Sequence, residues 1–394
     1  MPKRLGIRWR RIATAAAAFT TLTGVAVWVG ASGQAGASSS TSCWATATSV
    51  NSCGGMKALI AAAKTEHVLN LTADPTTWAN YGNIIKDFAK TYGIHVNDFN
   101  PNGTSAEELS EITLDKGKGN EPDVVDVGPA FAIDGVHGEP GVFKGPIFAK
   151  YKSLEWNDIP AGWKSSEGYW QYDYSGVMSI GYNASAVSAP VTGFNSLLDP
   201  AFKNAVGLSN NPTSSNAGFS AVYAAAIDEG GSLNNIAPGI AFFKKLGGNY
   251  NPVEAGGAGD APMADKTVLA TIDWTYNELS WKQELKSVGI DWKIVIPSGT
   301  PYASYYAMAI SKYGPHPAAA RLFIEYMFSP VGQNLWLEGG AVPATITTME
   351  KDNTVNKAAE AAIPKLKKAP VIATVQQSTT AKNLVVSDWG SAVG

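Results

Sequence analysis

The stretch VLNLTADPTTWANYGNIIKDFAKTYGIHV, residues 68–96, decides the fold. Its opening, Val68 to Thr72, is a short apolar run that reads as a buried strand. Tyr81, Ile84, Ile85, Phe88 and Tyr92 then recur at i, i+3, i+4, i+7 and i+11, which puts them on one helical face, and Gly93 stops the helix. Ile94-His95-Val96 reads as a second strand. Further on, Thr104-Ser105-Ala106-Glu107-Glu108 sets an N-cap threonine three residues before a glutamate, which starts another helix. Asp123 to Val127 is a third strand, ending at Gly128-Pro129. Strand, helix, strand, helix, strand predicts parallel βαβ units with right-handed crossovers.

A second block follows the extended run Gly176–Asn183. Val206–Ser209 reads as a strand, Asn210–Gly218 as a polar turn, and Phe219–Ile227 and Ile240–Leu246 as helices. Val268–Trp274, Ile294–Ile296 and Tyr306–Ile310 read as strands, the last two returning toward the first block. His316-Pro317 then opens an amphipathic helix whose buried face is Ala319, Leu322, Phe323, Tyr326 and Met327, and Ser329-Pro330 ends it. The sum is an α/β protein of two lobes, with the chain crossing between them more than once. The expected division is lobe one at 66–180 and 278–340, lobe two at 181–277, and a C-terminal segment at 341–394 packing on both.

The N-terminus reads as an export signal. Lys3, Arg4, Arg8, Arg10 and Arg11 precede an apolar stretch from Ile12 to Val29, and Ala35-Gly36-Ala37 offers small residues for cleavage after Ala37. The many Ala and Thr residues favour a cleaved signal at 1–37 over a retained anchor, and Arg10-Arg11 leaves the twin-arginine route open. Residues 38–55, rich in Ser, Thr, Ala and Gly, read as a flexible tail, with a short helix expected over Met56–Lys64. Cys43 and Cys53 are the two cysteines, expected to pair in an oxidising compartment. Ser40-Thr41-Ser42 lacks the aliphatic residue that lipidation of Cys43 needs.

Composition narrows the function. The chain has 394 residues, 45% hydrophobic and 16% charged, which suits a folded core. Removing residues 1–37 takes away five basic residues and no acidic ones, so the net charge moves from -3 to -8 and Arg321 is the one arginine left. Such a surface is a poor partner for nucleic acid or anionic membrane. The four histidines, at 67, 95, 137 and 316, form no metal-binding pair with one another or with cysteine. Neither a Gly-x-Ser-x-Gly elbow nor a phosphate loop is present, and Gly256-Gly257-Ala258-Gly259 reads as a plain surface loop. No cofactor is implied, and no reaction class is supported.

Taken in order, five segments resemble the bacterial solute-binding receptors of ABC importers, the two-lobed group that includes spermidine/putrescine-, ferric- and phosphonate-binding proteins. They are Val68–Val96 with Trp78-Ala79-Asn80-Tyr81 in its loop, Pro122–Gly128, Val177–Val187, Leu197–Gly218, and Ala307–Gln333 with its Pro-x-Ala-Ala, helix, Ser-Pro and Gln. The resemblance spans roughly residues 65–345. It implies a two-lobed periplasmic-binding-protein fold of type II with a cleft between lobes, an exported monomer, a small-molecule solute and a membrane permease as partner. An exported hydrolase is the alternative of another class, and a surface scaffold a third.

Ligands of open parallel sheets sit beyond the carboxyl ends of the strands, which points to the loops after Thr72, Val127, Ser209 and Trp274. Two sets of residues lie there or nearby. Asp74, Trp78, Tyr81, Asp273, Trp274, Tyr305 and Tyr306 are aromatic and acidic, and suit an amine or other cation. Trp78 and Tyr81 match cleft positions of polyamine receptors, whereas Tyr306 stands where those receptors carry an aspartate. The second set, Thr104 and Ser105 before one helix and Ser214 and Asn216 before another, with Gly128 at a strand end, suits an anion such as phosphate or phosphonate. A sugar stays open, and the Tyr305-Tyr306 pair leaves ferric ion open. Each candidate has a plain structural counterpart: Tyr81 as core, Thr104 and Ser105 as caps, Asp273 as an internal hydrogen-bonding group. Tyr305 and Tyr306, being adjacent on a strand, face opposite sides.

Overall fold

The structure, a computed structural model, describes residues 43–254 and 261–393. The expected signal at 1–37, the first residues of the tail and the glycine-rich loop at 256–259 lie outside the described residues. The N-terminal half runs α1 (Gly55–Glu66), β1 (Val68–Leu71), α2 (Tyr81–Tyr92), β2 (His95–Asp98), α3 (Ser105–Leu114), β3 (Val124–Val127), α4 (Pro129–His137) and the long β4 (Gln171–Asn183). Next come β5 (Val206–Leu208), α5 (Asn216–Asp228), α6 (Ala237–Leu246), β6 (Tyr250–Glu254), β7 (Ala270–Trp274), α7 (Thr275–Ser287) and β8 (Trp292–Val295). The chain returns through β9 (Tyr302–Ser311), α8 (Pro317–Phe328), α9 (Pro330–Glu338), β10 (Val371–Ile372) and α10 (Val375–Val393).

Two long strands tie the two lobes together. Along β4, residues 171–177 pair antiparallel with β9, while residues 178–182 pair antiparallel with β7. Strand β7 continues the second lobe through parallel pairing with β5, and β5 pairs parallel with β6. On the other side β9 takes β3 antiparallel, Ala307 opposite Val127. This corrects the expected run of parallel units. The ladder β1–β2 is parallel, but β3 joins the main sheet against β9, and it meets β1 through Asp123, whose N–H donates to the Asn70 carbonyl at 2.8 Å and whose Oδ2 accepts from Asn70 N–H at 2.7 Å. A return strand arriving from residue 302 competes for the edge of β3, which local periodicity does not reveal.

The apolar face read for α2 is the one that buries, whereas α8, read as one-faced, is buried on every side from Ala318 to Phe328. Tyr81, Ile84 and Phe88 of α2 are buried, with Phe88 edge-on to Phe323 of α8 at 5.0 Å. A second correction concerns the start of the chain. Residues 43–55 are not a loose tail: Trp44 and Val50 are buried in the main core, a 3-10 turn spans Val50–Cys53, and Cys43 is bonded to Cys53. Arg321 on α8, fully buried, donates to the Ala47 carbonyl at 3.0 Å and the Pro317 carbonyl at 2.9 Å. The one arginine outside residues 1–37 therefore fastens the N-terminal segment. Among the described residues, no helix is long and apolar enough to cross a membrane.

The C-terminal helix α10 packs on both lobes. Lys382 pairs with Asp134 of α4 and lies 4.2 Å over the Phe131 ring, whereas Trp389 packs edge-on against Phe243 of α6 at 5.0 Å.

Candidate functional site

Three elements of the first lobe end at one place. The loop after β1 carries Trp78 and leads into Tyr81 on the first turn of α2. Strand β3 brings Asp126 up beside it, and α3 begins there with Thr104 and Ser105. The second lobe answers with Asn210 after β5 and Ser215 before α5. From the shared strands come Tyr174 of β4 and Tyr306 of β9. These residues, with Glu108, line a cleft spanning about 450 Å³. Ala106 N–H donates to the Ser214 carbonyl across the cleft at 3.1 Å, so the lobes stand closed on each other.

Four aromatic residues stand in the wall, Trp78, Tyr81, Tyr174 and Tyr306. Tyr174 stacks on Tyr306 with ring centres 5.4 Å apart and on Trp336 at 4.1 Å, and Tyr81 meets Trp336 edge-on at 4.8 Å. Trp78 Nε1 donates to the Tyr276 hydroxyl at 3.1 Å. Trp78 comes from the first lobe and Tyr276 from α7 in the second, so this bond crosses between them. Tyr276 also borders an open polar hollow of about 720 Å³, and the Trp78–Tyr276 pair stands where cleft and hollow meet.

The polar groups of the wall include the hydroxyls and amides of Thr104, Ser105, Ser215 and Asn210 and two carboxyls, Glu108 and Asp126. Asp126 Oδ2 accepts from the Tyr81 hydroxyl at 2.7 Å, and its Oδ1 is buried with no donor. Asn210 Oδ1 is likewise buried and unpartnered. Glu108 accepts from the Asp126 backbone N–H at 2.8 Å. Beneath the wall lie Asp74 and Asp173, each with one unpartnered carboxyl oxygen. Burial pushes Asp126 up to about 7, with the Tyr81 hydrogen bond opposing it. Glu108, Asp74 and Asp173 rise well above the usual carboxylate range, first through burial and then through a neighbouring carboxylate, Asp74 for Glu108, Asp98 for Asp74 and Asp126 for Asp173. Among the described residues, no Lys, Arg or His lines the cleft.

The sequence candidates divide by location. Trp78, Tyr81, Thr104, Ser105 and Tyr306 line the cleft. Asp74 is buried just behind, between the lining residues Ala73 and Pro75. Gly128 and Asn216 meet where the lobes touch: a Cβ on Gly128 would come within 2.5 Å of Asn216 Cβ. Ser214 reaches across as well, its carbonyl accepting from Ala106 N–H at 3.1 Å. Trp274 backs the wall through Nε1 to the Tyr306 hydroxyl at 3.3 Å. Asp273 is fully buried, bonded to the Ser209 hydroxyl and to Asn277 Nδ2, and burial pushes it up to about 7. Tyr305 faces away, stacked between Trp163 at 4.2 Å and Tyr172 at 5.1 Å. The Tyr305-Tyr306 pair therefore does not converge on one ion, and among the described residues no trio of His, Cys, Asp or Glu is placed to hold a metal. The two helix starts are occupied by protein groups: Thr104 and Glu107 form a reciprocal capping box on α3, and Ser215 caps α5 by accepting from Gly218 N–H. Glu108, Asp126, Tyr174 and Asn210 are lining residues that sequence reasoning missed. Asp126 had a signal: a lone carboxylate in the apolar run Val124–Val127, next to the strand's carboxyl end.

A closed cleft between two α/β lobes, joined by strands that cross from one to the other, defines a two-lobed binding protein. Residues 142–372 match the family of bacterial extracellular solute-binding proteins. The match covers more than half of the chain, and the chain belongs to this family. A comparison with curated protein sequences gives no match. Among solved structures the chain is similar to the periplasmic binding protein AfuA from Actinobacillus pleuropneumoniae with fructose-6-phosphate bound, at 18% identity and a TM-score of 0.62, covering 83% of this chain and 98% of that one. The apo ferric ion-binding protein A of Pasteurella haemolytica gives 18% identity and a TM-score of 0.57 over the same shares. The binding protein AgtB from A. tumefacien R10, in complex with agropinic acid, gives 15% and 0.61, also over 83% and 98%. At these identities the likeness is one of fold.

Proposed function

We propose that this chain is the capture receptor of an ABC importer for a small amine-bearing cation, which it hands to a membrane permease. The observation that carries the reading is Asp126, a buried carboxylate on the cleft wall whose Oδ1 has no hydrogen-bond partner, beside four aromatic rings and, among the described residues, no basic lining side chain. An ammonium donates to such acceptors and is attracted by the ring faces. An anion entering the same cleft meets Glu108 and Asp126 with no arginine or lysine to offset them. The two lobes would close over the solute, since only the closed state contacts it from both sides. The export signal at 1–37 would deliver the receptor outside the cytoplasm as a monomer.

A thermal-shift screen of the mature protein tests this, with amines (putrescine, spermidine, choline), anions (phosphate, a sugar phosphate, a phosphonate), neutral sugars and ferric citrate. The expected result is a raised midpoint with one or more amines and none with the others. A shift with an anion, a sugar or ferric citrate and none with any amine contradicts the ligand class, and time-dependent loss of the bound solute contradicts the receptor role.

A further inference from the structure

The acidic floor of the cleft has a consequence beyond attraction. We propose that this receptor exchanges protons for its ligand: binding an ammonium at Asp126 expels a proton held in the buried carboxyl cluster, so loading is favoured by neutral pH and release by acid. The inference rests on the cation reading of the cleft.

The geometry leaves the empty cluster without a counter-charge. Asp126 is 7% exposed and Glu108 2%, with Asp74 and Asp173 behind them at 3% and 0%. Each element packed around Asp126 presents an acid or a phenol. Helix α2 gives Tyr81, α3 gives Glu108, and the loop after β1 gives Asp74, which Asp98 at the end of β2 faces in turn. Strand β4 contributes Asp173 and Tyr174, and β9 contributes Tyr306. Glu111 of α3, beyond Asp98, is held by Thr72 and Asn100. The charged groups acting on the four carboxyls are all acidic. Four buried carboxyls with no cation cannot all ionise, and such a group of interacting sites shares its protons.

A bound primary ammonium changes this balance. Its N–H groups reach Asp126 Oδ1, which has no donor of its own, and its charge stabilises the carboxylate. The O–H bond of one carboxyl in the cluster breaks, the electron pair stays on oxygen, and the proton passes to the buffer. An alkylammonium keeps its own protons below about pH 9, by analogy with the lysine side chain, so any proton released comes from the protein. Burial, which pushes Asp126 up to about 7, sets the window.

Isothermal titration of the mature receptor with putrescine, cadaverine and spermidine, each in two buffers of very different ionisation enthalpy, reads the exchange directly. At pH 6 the expected release is close to one proton per ligand. Affinity should rise about tenfold per pH unit below pH 7 and flatten above about pH 8. Asp173→Asn, which removes a like charge without touching the cleft wall, should shift that bend to lower pH while binding persists. Equal heats in both buffers with a dissociation constant unchanged from pH 5.5 to 8 would overturn the exchange and leave the cation reading standing. Absence of binding by all three amines at every pH would overturn both.

Discussion

The buried carboxylate at the cleft makes the empty receptor's stability depend on pH in an unusual direction. Asp126 moves from an ordinary value of 3.8 to about 7 on folding, mainly through burial. A group whose folded value is raised binds its proton more tightly in the folded state. Its contribution is fully favourable below about pH 4 and is lost as pH climbs through 7. At about 1.36 kcal/mol per pH unit, the loss between pH 4 and pH 8 is about 4 kcal/mol at most. Asp126→Asn removes the titration while keeping an oxygen to accept from Tyr81. Its new amide lacks a partner, which costs about 1–3 kcal/mol at any pH, so the informative quantity is a difference. The substitution should be more favourable at pH 8 than at pH 5 by about 2–4 kcal/mol. Urea unfolding of both proteins at the two pH values, followed by fluorescence and circular dichroism together, measures it. An equal effect of the substitution at pH 5 and pH 8, within about 0.5 kcal/mol, would refute the assignment of Asp126 as a buried acid without a counter-ion.

Three further perturbations probe the frame around the site. Gly128→Ala places a methyl group within 2.5 Å of Asn216, where the lobes touch, and should prop the cleft open. Putrescine affinity falls by about tenfold or more, since closure is what the ligand pays for, while the unfolding midpoint changes little. Trp78→Phe keeps the ring but loses the 3.1 Å bond to Tyr276. At about 1 kcal/mol for such a bond, putrescine dissociation in a stopped-flow experiment should quicken by about fivefold. Lys382→Met leaves Asp134 without its partner beneath α10 and should lower stability by about 1–3 kcal/mol, read by urea unfolding, with Asp134→Asn in the same chain restoring part of the loss.

Much of this molecule is legible in its sequence where a local rule applies. Helix α2 announces itself because Tyr81, Ile84 and Phe88 must share a face to reach one core, whereas α8 reads as a one-faced helix but is buried on every side from Ala318 to Phe328. The rule that ligands sit beyond strand ends led to Trp78 and Tyr306, both in the cleft wall. It also led to Asp273 and Trp274, which stand one layer back, because the rule gives the end of the strand and not the depth of the side chain. Tyr305 and Tyr306 separate as the alternation of a strand requires. What local patterns missed depends on distant chain. Tyr174 enters the wall because β4 crosses between lobes beside β9, and Tyr276 meets Trp78 across 198 residues of sequence. The N-terminal segment has a linker's composition, yet Trp44 docks because Arg321 and the core of α8 offer it a place. Glu108 followed the capping motif of α3 and gave no sign that the next turn faces a cleft.

The position of the ligand's charge tests the account most directly. A crystal structure of the mature receptor with 1,4-diaminobutane should show one molecule between the lobes, with an ammonium nitrogen within about 3 Å of Asp126 Oδ1, the distance of a charge-assisted hydrogen bond. An empty cleft at saturating diamine, or a bound anion with Asp126 turned away from it, would contradict the reading of this protein as a receptor for cationic amines.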